Sequence, residues 1–132
     1  MSSMNYLNQH TILIIARHGN TFGPGETPRR VGARTDLPLV ASGIEQAGNL
    51  GQHLRQQDFL PDFVYSSTLQ RTYQTAQIAL QAMGCESEIQ KIDSLNEIDY
   101  GPDENQTEDA VIARIGHEAL LAWDKSCIVP PG

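Results

Sequence analysis

The apolar run Ile12–Ile15, which stops abruptly at Arg17-His18-Gly19, is the feature that most restricts how this chain can fold. An unbroken series of aliphatic residues is typical of a strand covered on both faces, as in the middle of a parallel sheet. Ligands of open α/β sheets bind just beyond the carboxyl ends of such strands. An arginine there can bind oxyanions, a histidine can attack phosphorus, and a glycine allows close approach of the backbone. The run therefore predicts an anion site that contains a nucleophile.

Composition narrows the class of protein. With 132 residues, 39% hydrophobic and 19% charged, the chain is expected to form one soluble globular domain at residues 11–132, preceded by a flexible tail at residues 1–10. A net charge of −7 argues against a nucleic-acid or membrane partner, since both require a basic face. No targeting segment is visible, and Cys85 and Cys127 fit unpaired thiols in a reducing compartment. We therefore expect a cytoplasmic location.

Helical and strand patterns alternate along the chain, which predicts an α/β fold with a parallel or mostly parallel sheet in layers. A capping box of Ser42 and Glu45 predicts the start of the first helix. The predicted elements are a helix at 42–57, a buried strand at 63–65, a helix at 69–83 stopped by Gly84, a short strand at 89–92 and a third helix capped by Thr107.

Two further residues are placed at the same edge as His18 by this pattern. Arg71 lies in the first turn of the helix after the second strand, where backbone N–H groups also favour an anion. The alternative is an ordinary surface arginine. Glu97 lies in a loop after the third strand, and a carboxyl group near a phosphate site is repelled unless it is protonated or donates a proton.

A loop rich in glycine, proline and arginine follows the histidine at residues 22–40. Arg29, Arg30 and Arg34 cluster there. They fit either an extension of the anion site or a solvated loop, and the sequence favours neither.

Four motifs, ARHGNT, LVASGIEQA, VYSSTLQRTYQTA and LNEIDYG, occur in the order and roughly the spacing of the histidine phosphatase (phosphoglycerate mutase-like) superfamily. The chain resembles that superfamily from Thr11 onward, and four ordered motifs are far more specific than one. The resemblance implies a three-layer α/β/α fold with a mostly parallel sheet. It also implies phosphoryl transfer without a metal or other cofactor.

By this resemblance His18 is the nucleophile and carries a phosphohistidine, while Arg17 and Arg71 bind the phosphoryl oxygens. Glu97 corresponds to the acid that protonates the leaving oxygen and then activates water. A ring nitrogen of neutral His18 should donate to a carbonyl and thereby fix the tautomer. The substrate-binding residues implied are Arg17, Gly19, Asn20, Thr21, Arg30 and Arg71.

The chain also departs from the family pattern, because the strand that carries a second pocket histidine is missing. His117 in Ile115-Gly116-His117 imitates that motif but lies in a helical pattern, so we interpret it as an ordinary helix residue. The simplest hypothesis is an N-terminal portion of a longer protein, nearly inactive alone and prone to self-association, with a homodimer as one outcome.

The favoured function is a phosphomonoesterase that acts on a small phosphorylated substrate. A phosphoglycerate mutase is the first alternative, since the family resemblance covers both. The loop after Thr21 lacks the tryptophan and asparagine pattern that mutases show, and no long insertion lies between Arg71 and Glu97. Both observations favour the phosphatase. The second alternative, for a natural length of 132 residues, is a relative that binds phosphate without turnover.

Overall fold

The computed structural model describes residues 10–132, so most of the predicted tail lies outside the described residues. The α/β class and the parallel pairing of strands are confirmed. None of the described helices is long and apolar enough to span a membrane. The elements are α1 (Ala41–Gln56), β1 (Val64–Ser66), α2 (Gln70–Met83), β2 (Ile89–Lys91), α3 (Glu108–Ile115) and α4 (His117–Ser126), with short 3-10 turns at Asp93–Leu95 and Gly101–Asp103.

The sheet of the described residues consists of β1 and β2 alone, paired in parallel with Val64 opposite Ile89. The prediction that β1 is buried is wrong, because Phe63 and Tyr65 on either side of Val64 are exposed. A strand in a two-stranded sheet has few neighbours to cover it, which explains this exposure.

The predicted strand at Ile12–Ile15 is not formed, and this is the largest correction to the sequence interpretation. The four side chains are 43–86% exposed instead of buried. A strand is stabilised by hydrogen bonds to a neighbouring strand, and β1 pairs only with β2 in the described part of the chain. The run therefore presents an apolar surface without a ladder partner.

The helices match their predicted positions closely, but two details differ. Ser42 does not cap α1, whose N-cap is Val40 without a side-chain hydrogen bond. The single helix predicted after Thr107 is two helices, because Gly116 adopts a φ of 85° between them. Thr107 does cap α3, accepting a hydrogen bond from the Ala110 N–H at 3.2 Å.

The main packing contact joins α1 and α2, and α2 also packs against β1 and β2. Its core consists of Ala79, Leu80 and Met83 of α2, against which Leu50, Leu54, Val64, Cys85 and Ile89 pack. The two helices approach closely at Gly51, where a Cβ atom would lie 2.2 Å from the Ala79 carbonyl oxygen. Gly84 ends α2 in the left-handed conformation with a φ of 68°, as the sequence predicts.

The glycines of α1 give a matched test of this contact. Gly51→Ala is expected to lower the free energy of unfolding by about 1–3 kcal/mol, since the added methyl group forces α1 away from α2. Gly48→Ala, on the same helix with no atom within 4 Å of its Cβ position, is expected to raise it by about 0.5–1 kcal/mol. Urea unfolding of both variants measures the difference, and equal effects of the two substitutions would contradict the packing.

Candidate active site

His18 is half-buried at the end of the apolar run. Its Nδ1 lies 2.7 Å from the carbonyl oxygen of Gly19. A carbonyl oxygen only accepts hydrogen bonds, so Nδ1 carries the proton in this contact and Nε2 keeps its lone pair. This is the arrangement expected from the sequence, and it leaves Nε2 with the lone pair that a nucleophile needs.

The pKa of His18 lies below its ordinary value of 6.5. Burial is the main cause, and the positive charges of Arg71 and Arg17 add to it. The hydrogen bond to Gly19 and the negative charge of Glu97 oppose the shift without reversing it. The imidazole is therefore neutral, as a nucleophile must be, over a wider pH range than an exposed histidine.

A titration of the His18 ring signals by NMR is expected to give a pKa below 6.5. The unfolded chain then binds more protons than the folded chain at pH values between the folded-state pKa and 6.5. The contribution of His18 to stability is therefore complete above pH 6.5 and is lost as the pH falls towards the folded-state pKa. A measured pKa above 6.5 would contradict the combined effect of burial and the two arginines on the ring.

The backbone next to His18 is fixed between α1 and α2. The N–H of Gly19 donates to Thr75 Oγ1 at 3.0 Å, and that hydroxyl donates to the carbonyl oxygen of Arg71 at 2.7 Å. On the other side Gly19 contacts Gly43, and a Cβ atom on Gly19 would lie 2.4 Å from the Gly43 carbonyl oxygen. Gly19 is needed here because a larger residue would not fit beside Gly43. Its N–H already donates to Thr75, and its predicted contact with substrate stays a prediction.

Arg71 is 2% exposed, which excludes the surface arginine considered from the sequence. Its Nη1 donates to the Thr35 carbonyl oxygen at 2.7 Å, and its Nη2 donates to the carbonyls of Gly32 at 3.3 Å and Val31 at 3.5 Å. We call residues 31–35 the carbonyl loop. In residues 10–132 no carboxylate forms an ion pair with Arg71. A buried positive charge of this kind is uncompensated and favours an anion beside it.

Arg17 and Glu97 lie close enough to His18 for their charges to act on its pKa. Both residues are exposed. Glu97 Oε1 accepts a hydrogen bond from the N–H of Ile98 at 3.0 Å. The charges of Arg17, Arg71 and Glu97 thus all act on His18, and the catalytic roles of the four residues stay predictions.

Asn20 ties the nucleophile segment to the first turns of α1. Its side-chain Nδ2 donates to Ser42 Oγ at 3.2 Å, and its N–H donates to Gln46 Oε1 at 2.8 Å. Ser42 is the second residue of α1 and therefore cannot be its N-cap, and its hydroxyl accepts from Asn20 instead. Thr21 next to it is half-buried.

The three arginines after the histidine each contact a residue from the second half of the chain, although Arg29 and Arg34 remain exposed. Arg30 pairs with Asp124 at 3.3 Å and stacks 4.3 Å from the ring centroid of Trp123. Arg34 pairs with Asp99 at 2.8 Å. Arg29 donates to Asn105 Oδ1 at 2.6 Å. These contacts fasten the loop to the second half of the chain, and the predicted role of Arg30 in substrate binding stays a prediction.

Three polar residues around Arg71 escaped the sequence analysis: Thr75, Thr35 and Glu104. Thr75 lies one helical turn after Arg71 on the same face of α2, a spacing that could have pointed to it. Thr35 and Glu104 are buried and hydrogen-bonded to each other across 69 positions. No local pattern reports a contact of that range.

His117 is exposed at the first turn of α4, as expected of an ordinary helix residue. Within residues 10–132 no group of three or more His, Cys, Asp or Glu residues is arranged to hold a metal ion. The positive charge near His18 comes from Arg17 and Arg71.

The fold and the site define an α/β protein with a neutral histidine beside a buried, uncompensated arginine. Residues 13–132 match the histidine phosphatase superfamily (branch 1). The chain belongs to this superfamily.

Named relatives include mutases and a phosphatase. A 2,3-bisphosphoglycerate-dependent phosphoglycerate mutase of Bifidobacterium longum (strain DJO10A) is 32% identical over 120 residues, which are 90% of this chain and 48% of that protein. Phosphoglycerate mutase from Bacillus anthracis str. Sterne has a TM-score of 0.69 at 27% identity, with 83% of this chain and 49% of that one covered. A mycobacterial glucosyl-3-phosphoglycerate phosphatase has a TM-score of 0.67 at 27% identity, with 80% and 46% covered. The chain thus spans about half the length of the curated relatives it matches.

Proposed function

We propose that this chain transfers a phosphoryl group through a covalent intermediate on His18 and that the reaction is hydrolysis of a phosphomonoester. The observation that carries the proposal is the buried Arg71, which has carbonyl partners but no carboxylate among the described residues and lies near the neutral His18. A dianionic phosphate ester supplies the missing negative charge. Membership of the histidine phosphatase superfamily supports the same chemistry.

In the first step Nε2 of His18 attacks phosphorus, and the bond between phosphorus and the ester oxygen breaks. The leaving oxygen takes a proton from the carboxyl group of Glu97, so that an alcohol departs and Glu97 becomes a carboxylate. Arg17 and Arg71 stabilise the charge spread over the three phosphoryl oxygens in the transition state. The hydrogen bond from Nδ1 to Gly19 keeps the ring in place as positive charge develops on it.

In the second step water attacks the phosphohistidine. Glu97 accepts a proton from this water, the bond between Nε2 and phosphorus breaks, and inorganic phosphate leaves. His18 and the acid form of Glu97 are thereby restored. The proposed chemistry needs no metal, since the arginines supply the positive charge.

Hydrolysis is favoured over mutase chemistry by the short connection from α2 to β2. Only Gly84 to Glu88 separate the two elements, so no long insertion lies between Arg71 and Glu97. The mutases among the relatives favour the second candidate function, transfer between two hydroxyl groups of a phosphoglycerate. The phosphoryl donor in either case is a small phosphorylated molecule. The proposed compartment is the cytoplasm, in agreement with the unpaired Cys85 and Cys127.

The third candidate is a phosphate-binding protein without turnover. We propose that the 132-residue chain binds phosphate weakly, turns over slowly and self-associates through its exposed apolar run.

Covalent labelling tests the proposal. The chain is incubated with a radiolabelled aryl phosphate in the presence of EDTA, quenched in base and mapped by mass spectrometry. We expect an acid-labile, base-stable adduct on His18. With a phosphoglycerate as donor, release of inorganic phosphate indicates the phosphatase, and migration of the phosphoryl group indicates the mutase. Label on a serine or cysteine, or labelling that requires added magnesium, would refute the mechanism.

A further inference from the structure

Glu104 is a buried carboxylate that neither the sequence analysis nor the proposed reaction uses. Its Oε2 accepts hydrogen bonds from the N–H of Gly32, at 2.8 Å, and from the hydroxyl of Thr35. Its Oε1 accepts a third bond from the N–H of Tyr100 at 3.3 Å. Glu104 therefore joins two positions of the carbonyl loop to the segment that follows Glu97.

The carbonyl loop is the same segment that holds Arg71. Gly32 donates its N–H to Glu104 and accepts from Arg71 through its carbonyl oxygen. Thr35 likewise donates its hydroxyl to Glu104 and accepts from Arg71 through its carbonyl. Gly32 and Thr35 thus each link the Glu104 carboxylate to the Arg71 guanidinium, because each donates to the first and accepts from the second.

Space around the carboxylate is tight. A Cβ atom on Gly32 would lie 2.3 Å from Glu104 Oε1 and 2.3 Å from the carbonyl oxygen of Ile98. Burial alone would raise the pKa of Glu104, but the hydrogen bonds from Thr35, Gly32 and Tyr100 hold that pKa below its ordinary value. The side chain therefore accepts all of these bonds as a carboxylate.

We infer that Glu104 is a positioning residue for Arg71, which fixes the carbonyl loop in the shape that holds the guanidinium next to His18. Only the expected effect of Glu104 on phosphate binding rests on the proposed function; its effect on the position of Arg71 does not. Glutamine has the size of glutamate but places an NH2 group, a donor, against either Tyr100 or Gly32. It cannot accept from all three partners, so Glu104→Gln should loosen the loop.

The neighbouring Asp103 provides a matched control. It is also buried and carries the same charge, but it accepts from Arg114 Nε at 2.7 Å, on α3, and has no hydrogen bond to the carbonyl loop. Asp103→Asn therefore removes a buried carboxylate and some stability without touching the support of Arg71.

The pKa of His18 measured by NMR is the decisive readout. The direction of its change separates loss of the charge at position 104 from displacement of Arg71. The charges that act on the ring are those of Arg71, Arg17 and Glu97. Loss of a negative charge at position 104 alone would lower this pKa or leave it unchanged. Displacement of Arg71 removes a positive charge from the ring and raises it. We expect a rise in Glu104→Gln and none in Asp103→Asn.

Isothermal titration with inorganic phosphate is the second measurement. Glu104→Gln should bind phosphate at least about ten-fold more weakly than Asp103→Asn, since a displacement of about 1 Å is costly for an oriented charge. If Glu104→Gln does not fold, Thr35→Val takes its place, because it keeps the shape of the side chain and removes one hydroxyl contact. A His18 pKa that does not rise in the folded variant overturns the inference. Failure of the unmodified chain to bind phosphate contradicts the proposed function instead, and the titration of His18 still decides the role of Glu104.

Discussion

The His18→Ala variant is expected to lose all covalent labelling by an aryl phosphate while it keeps its fold. In the proposed reaction the imidazole attacks phosphorus, and its only hydrogen bond to a described residue is the one to the adjacent Gly19. Such a bond contributes about 1 kcal/mol to stability, so the substitution removes the nucleophile without unfolding the chain. Loss of a nucleophile can cost about a million-fold in turnover.

His117→Ala is the control for this experiment, because His117 is exposed at the start of α4. It should label to the same extent as the unmodified chain. Circular dichroism and urea unfolding of both variants establish that they are folded. Persistent labelling of His18→Ala, or its loss in His117→Ala, would move the nucleophile to another residue.

Arg71→Ala is expected to have the second largest effect, because it acts on both binding and stability. Loss of one strong donor to a transferring phosphoryl group costs about a hundred- to a thousand-fold. The same substitution removes the guanidinium donor from three carbonyl oxygens of the carbonyl loop, of which only that of Gly32 keeps another hydrogen bond within the described residues, from the Thr35 N–H. A hydrogen bond to a charged group contributes about 1.5–3 kcal/mol, so the free energy of unfolding should fall by several kcal/mol.

Arg71→Lys separates these two effects. It keeps the positive charge, but a single ammonium group cannot donate to three carbonyls and an anion in the way that a guanidinium does. We expect weaker vanadate binding with a smaller loss of stability, while Arg55→Ala, which removes an exposed charge at the end of α1, should change neither property. The pKa of His18 should rise in Arg71→Ala. Vanadate binding unchanged in that variant would remove Arg71 from the site.

The helices could be predicted from sequence because their signals are local. Gly84 stops α2 by adopting a positive φ, and apolar spacing along α1 matches the face that packs on α2. The sequence also predicts His18 and Arg71 at one edge from the rule that ligands meet the carboxyl ends of strands, and the charge of Arg71 does act on His18 although the strand before His18 is not formed. These features depend on a few neighbouring residues or on topology.

The remaining features depend on contacts between distant segments. Whether Ile12–Ile15 forms a strand is decided by the presence of a neighbouring strand, and the described residues supply none. The bond between Gly32 and Glu104 spans 72 positions, and no periodic pattern encodes it. Gly116, by contrast, was visible in the sequence, and its effect on the third helix could have been foreseen from its position between two short helical patterns.

The contact between Gly19 and Gly43 also restricts how this sequence can evolve. A methyl group on Gly43 would lie 2.2 Å from the carbonyl oxygen of Asn20, just as one on Gly19 would overlap Gly43. Substitution of either glycine displaces the backbone beside His18. A second substitution at the partner glycine cannot restore the space, because glycine is already the smallest residue. Descendants under selection for phosphoryl transfer should therefore retain both residues, whereas a lineage released from that selection can lose either one. Among related sequences, the loss of this pair should mark the branches in which catalysis has been abandoned.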